Sequence, residues 1–95
     1  MTYDSRILIL HNGDNIAIAA CELPAGTEVQ VGDNNVLLRE TIDVGHKFAL
    51  CSINRGEKII KYRAPIGSAS RLIQPGEFVH THNMQSDYLP TYTLD

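Results

Sequence analysis

His80-Thr81-His82 is the sharpest chemical signal in the chain. On a strand, residues two apart point to the same side, so the two imidazoles would share a metal ion or an anion, with Val79 and Thr81 facing the other way. A solvated strand face is the bland alternative for an isolated His-x-His. Gly45-His46-Lys47 is a second cluster: glycine lets the backbone approach a ligand closely, and His46 and Lys47 offer a neutral and a cationic donor. Its bland alternative is a turn with two solvated side chains. Lys61-Tyr62 is a third, suited to a carboxylate and a hydroxyl, although a lysine on an edge strand also serves as protection against aggregation. His11, just before Asn12-Gly13-Asp14-Asn15, reads as a strand terminus.

Strands and turns must position these groups, because β-branched residues recur in short bursts separated by glycine and no window carries a helical apolar stripe. Candidate strands are Arg6–His11, Asn15–Ala20, Glu28–Val31, Asn35–Arg39, Lys47–Cys51, Lys58–Tyr62 and Glu77–Asn83, with turns at Asn12-Gly13-Asp14 and Gly32-Asp33-Asn34. The expected fold class is all-β with only short helical turns. An internal echo sharpens it. Aligned on Gly26, Gly56 and Gly76, the chain repeats Ala-x3-Leu/Ile-x2-Gly-Thr/Glu-x-Val/Ile. Physically this is a strand end, an aliphatic anchor, a tight turn closed by glycine, and a strand whose first inward residue is β-branched. The spacings are too irregular for a solenoid, so one corner is used three times in a small β fold. Cys21 and Cys51 each stand five residues before a corner glycine, where the third copy has Arg71, and read as small buried free thiols. His80 and His82 match Ile60 and Tyr62 in the second copy and Gln30 and Gly32 in the first, so polar groups gather where corner strands exit.

Composition bounds what this chemistry can be. Ninety-five residues, 43% hydrophobic and 20% charged, fit one domain over 1–95 with a short tail from about residue 84. Such a domain buries only about 60–65% of its unfolded surface, leaving little room for both a core and a deep pocket. A net charge of −3 without a basic run disfavours nucleic acid. The longest apolar run, Ile16 to Cys21, is too short to span a membrane, and no secretory signal is visible, so the cytoplasm is the expected location. Phosphate loops, Gly-x-Gly-x-x-Gly, Gly-x-Ser-x-Gly and Cys-x-x-Cys are all missing, which leaves the common nucleotide-dependent and hydrolase chemistries unsupported.

Five segments in order, Asp14–Ala19, Gly45–Leu50, Ile59–Tyr62, Pro65–Ala69 and Gly76–Asn83, make the chain resemble the SAF domain of the altronate and galactarate dehydratase family, a β-clip fold. Arg63 departs from the family, which usually has glycine after Lys-Tyr. The resemblance implies a small subunit of a sugar-acid dehydratase, a hydro-lyase component acting on an aldonic or aldaric acid beside a large subunit. Members of the family remove water from sugar acids, and a relative eliminates sulfite from sulfolactate. Elimination needs an α-proton abstracted and a leaving hydroxyl protonated, so a divalent metal, iron or manganese, is expected, held mainly by the large subunit. In that setting His80 and His82 are the candidate general acids and minor metal ligands, and His46, Lys47, Lys61, Tyr62 and Asn83 are candidate substrate contacts. Two other readings stay open: a non-catalytic carbohydrate-binding or assembly module, and a self-sufficient metal enzyme. Edge strands of so short a sheet also favour homo-oligomers or partner docking.

Overall fold

The computed structural model describes residues 4–87. Nine strands run in order: β1 Ile7–Leu8, β2 Ile16–Ala19, β3 Glu28–Val31, β4 Asn34–Leu37, β5 Lys47–Ala49, β6 Lys58–Lys61, β7 Ala64–Ala69, β8 Phe78–Val79 and β9 Met84–Gln85. All pairings are antiparallel, in a four-stranded sheet β1-β2-β5-β8, a hairpin β3-β4 and a three-stranded sheet β6-β7-β9. The all-β expectation holds, with no helix among the described residues and helical turns reduced to isolated ones such as His80–Met84, where Met84 N donates to His80 O at 2.9 Å.

The corner is used four times. The fourth copy, around Gly45, has Leu38 where the others have Ala19, Ala49 and Ala69. In each, the glycine has φ between 83° and 88°. The residue three before it (Leu23, Ile42, Ile53 or Ile73) and the residue three after it (Val29, Phe48, Ile59 or Val79) are buried. The corners also pair. Gly26 N donates to Leu38 O and Gly45 N to Ala19 O, while Gly56 N donates to Ala69 O and Gly76 N to Ala49 O, all at 2.8 Å. Bridges Leu23–Ile42 and Ile53–Ile73 lock the two pairs. These are main-chain bonds, so they constrain side chains only at the glycine and at the two buried anchors.

Alternation along the central sheet divides the core. Ala17 and Phe48 join Leu23, Val29, Val36, Leu38 and Ile42 in one cluster, whereas their neighbours Ile16 and Ala49 join Ile53, Ile59, Ala69, Ile73 and Val79 in the other. The two ends of the molecule are stitched together at corner Gly76, where Arg39 N donates to Gly76 O at 3.1 Å and Arg39 Nε to Pro75 O at 3.1 Å.

Strand β7 is absent from the sequence-based expectations because Ala64-Pro65-Ile66-Gly67-Ser68-Ala69 is poor in β-formers. Pro65 is tolerated since β9 pairs only with Ser68 and Ala69, leaving the start of β7 with a free side, and the β6 register shifts between Ile59 and Ile60. Residues 84–87, expected to open a tail, belong to the fold: β9 is in the sheet, and Asp87 binds Lys58 Nζ at 2.8 Å and Ser68 Oγ at 2.7 Å, while the rest of that expected tail lies outside the described residues. Those bonds to Lys58 and Ser68 hold the Asp87 carboxyl below the usual carboxylate range. The cysteines were expected to be buried, yet Cys21 and Cys51 are exposed and free, because the position five before each glycine lies outside both anchors.

Candidate functional site

Pairing of Lys47 with Val79 and Phe48 with Phe78 lays the exit of corner Gly45 against the exit of corner Gly76. Two positions after each corner glycine the outward residue is Glu28, Lys47 or Lys58 in three copies and Phe78 in the fourth. Phe78 is half-buried, and three exposed imidazoles gather on it. His46 stacks at 5.1 Å between ring centroids and 19° between planes, His80 at 5.5 Å and 15°, and His82 at 5.6 Å and 31°. His46 is available for this because of its corner. At the equivalent position Glu57 and Glu77 fold back to accept the amides of Asn54 and Gln74.

The route by which His80 and His82 reach one side differs from the expectation. Strand β8 stops at Val79, and His80–Asn83 is a turn rather than the last part of a strand over Glu77–Asn83. Asn83 builds it. Its Oδ1 accepts His80 N at 3.0 Å, its Nδ2 donates to Phe78 O at 2.8 Å, and its main-chain N donates to His80 O at 3.0 Å. With 0% exposure and both amide ends engaged, Asn83 organises the turn and is out of reach of a ligand, which corrects its assignment as a substrate contact. Asn83→Ala strips two part-buried main-chain groups of their partners and empties a fully buried side-chain site, so urea unfolding should show a loss of about 2–4 kcal/mol. A loss below about 0.5 kcal/mol would show that the turn closes without it.

The candidate lysines lie apart from this stack: pairing of Lys47 with Val79 turns its side chain to the face of the sheet opposite Phe78. Lys47, next to His46, is half-buried, and burial together with the charge of Lys61 holds its ammonium below the usual lysine range. Lys61 comes from the β6–β7 hairpin, in a different sheet from Lys47. Tyr62, 68% exposed at the hairpin tip, makes no ring contact with the imidazoles among the described residues. His11 is apart from the cluster, its Nδ1 accepting Gly13 N at 3.2 Å. Among the described residues no group of three or more His, Cys, Asp and Glu side chains is arranged to hold a metal ion, so the His80–His82 pair does not by itself fit a metal centre. Nor do the described residues enclose a pocket. Phe78, which gathers the imidazoles, escaped sequence reasoning. The available signal was an aromatic at a corner position otherwise held by charged residues.

An antiparallel β domain of paired glycine corners, presenting three imidazoles on an open face, is the class of protein that fold and site define. The chain belongs to the altronate/galactarate dehydratase SAF-domain family, whose sequence model matches residues 5–87. It is 45% identical over 78 residues to altronate dehydratase of Escherichia coli (strain K12), a match covering 82% of this chain and 16% of that protein. Altronate dehydratase of Bacillus subtilis (strain 168) is 35% identical over 78 residues, with the same coverage of each chain. Subunit alpha of (2R)-sulfolactate sulfo-lyase from Chromohalobacter salexigens is 37% identical over 49 residues, 52% of each chain. The chain thus spans about a sixth of the altronate dehydratases it matches. These relatives are lyases, and in them the matching region is part of a larger enzyme or belongs to one subunit of a lyase.

Proposed function

We propose that the chain is the small component of a two-part sugar-acid dehydratase, removing water from an aldonic or aldaric acid together with a large subunit. The observation that carries this reading is the convergence of His46, His80 and His82 on Phe78. Elimination of a β-hydroxyl asks for a group that protonates the departing oxygen, and exposed imidazoles at near-neutral pH suit that step. The general acid is His80 or His82. The open face is closed by the large subunit, which holds most of the ligands of the divalent metal, iron or manganese.

Mixing the purified chain with the large subunit and assaying both components against altronate and galactarate tests this. The expected result is no turnover by either component alone and turnover on mixing. Dehydration by the purified chain alone, or by the large subunit at full rate without it, would overturn the two-part reading and favour a self-sufficient enzyme or a binding module respectively.

A further inference from the structure

Strand β8 is the outer strand of the four-stranded sheet, so one side of its main chain has no strand to bond. Phe78 lies opposite Phe48, and the ladder bond beside it runs from Ala49 N to Glu77 O at 3.0 Å. By alternation, the amide and carbonyl of Phe78 itself point to the free edge. Two side chains take them. Glu40 Oε2 accepts Phe78 N at 3.0 Å, and Asn83 Nδ2 donates to Phe78 O at 2.8 Å. Asn83 belongs to the turn that carries His80 and His82, whereas Glu40 comes from the other end of the molecule. Its neighbour Arg39 bonds Gly76 O and Pro75 O, which brings Glu40 to the start of β8. Glu40 stands five residues before Gly45, the corner place held elsewhere by Cys21, Cys51 and Arg71. Of those four side chains only the carboxylate is a strong acceptor.

We propose that Glu40 is a positioning residue for the imidazole site: by bonding Phe78 N it fixes the ring on which His46, His80 and His82 stack. The reaction served rests on the function proposed above, whereas the positioning belongs to this chain alone. Every link is a contact. Glu40 holds the Phe78 main chain, and the Phe78 ring meets His46 at 5.1 Å, His80 at 5.5 Å and His82 at 5.6 Å between centroids. Three rings share one support, so a displacement of Phe78 moves them all. Phe78 is half-buried against the cluster of Phe48 and Val29, so core packing holds one side of the ring only. Glu40 is exposed, and without it water would satisfy the Phe78 amide. What Glu40 contributes is therefore geometry more than stability.

The test compares the whole chain as wild type, Glu40→Ala and Glu40→Gln. NMR reads amide exchange at Phe78 and the ring-current shifts that Phe78 imposes on the imidazole C–H protons, and mixing with the large subunit gives kcat and KM. Glu40→Ala should speed Phe78 exchange by about threefold to tenfold, the loss of one hydrogen bond. It should also move the imidazole shifts toward free histidine and lower kcat by about tenfold or more, with KM little changed. Melting temperature should stay within about 4 °C of wild type. Glu40→Gln keeps an acceptor oxygen at the same reach and should restore the shifts and most of the turnover. Imidazole shifts that stay at wild-type values in Glu40→Ala, or that Glu40→Gln fails to restore, overturn the proposal. Should Glu40→Ala fail to fold, Glu40→Asp, one methylene too short to reach Phe78 N, is read in the same way. If Glu40→Ala shifts the imidazoles as expected but the wild type gives the large subunit no turnover, the proposed function falls and the positioning stands.

Discussion

Replacing His80 and His82 together by alanine is expected to lower turnover of the reconstituted dehydratase by about a hundredfold or more, the size seen when a general acid is removed. Folding should survive. Both imidazoles are exposed, and each contributes one ring contact to Phe78, so each substitution should cost less than about 1 kcal/mol. The turn that carries them is closed by Asn83 and main chain, neither of which the substitutions touch. The two single variants assign the roles: the larger fall in turnover marks the proton donor, and the smaller marks the residue that orients substrate. Melting temperature, affinity for the large subunit and turnover are to be measured on the same samples. Near-normal turnover in all three variants, with partner binding intact, would return these histidines to the status of a solvated surface.

Much of this arrangement was legible in the residues. Three of the four corners stood out because Ala19, Ala49 and Ala69 recur seven before Gly26, Gly56 and Gly76. The copy around Gly45 was hidden by Leu38 and by His46 at the place of Thr27, Glu57 and Glu77. That same substitution of His for Glu is what releases a side chain to the site, so the departure from the pattern carried the functional information. The turn at His80–Asn83 was illegible for another reason. Thr81 between two histidines has strand character, and no glycine or proline breaks the run; the reversal depends on a side-chain amide buried by tertiary packing. Proximity of His46 to His80 is likewise non-local, set by the β5–β8 pairing, and no periodicity within a segment reports it.

Gly76→Ala is expected to cost more than about 4 kcal/mol, most of the stability a domain of this size commands. Two effects add. The residue sits at φ 84°, and a Cβ built there would run into the Leu37 carbonyl and the backbone of Leu38. Main chain cannot swing aside as a flexible side chain does. Gly26 and Gly56 share the same φ of 88° but face open space, so alanine there should cost only the backbone term, about 1–2 kcal/mol. Urea unfolding of the three variants isolates the close approach from the conformation. If Gly76→Ala proved no worse than Gly26→Ala, the tight contact between the two ends of the molecule would be absent in solution.

Corners held by main-chain bonds have a consequence for how such a domain diversifies. Since each reversal asks only for its glycine and two buried apolar anchors, the other residues on the outgoing strands are under little structural obligation and are free to be rewritten by selection. In this chain the exits of corners Gly45 and Gly76 have been given over to imidazoles and a lysine, while the exit of Gly26 remains chemically plain. An engineer wishing to graft a new recognition surface would begin there, on Glu28 and Gln30, whose side chains are exposed and whose replacement leaves every corner bond in place.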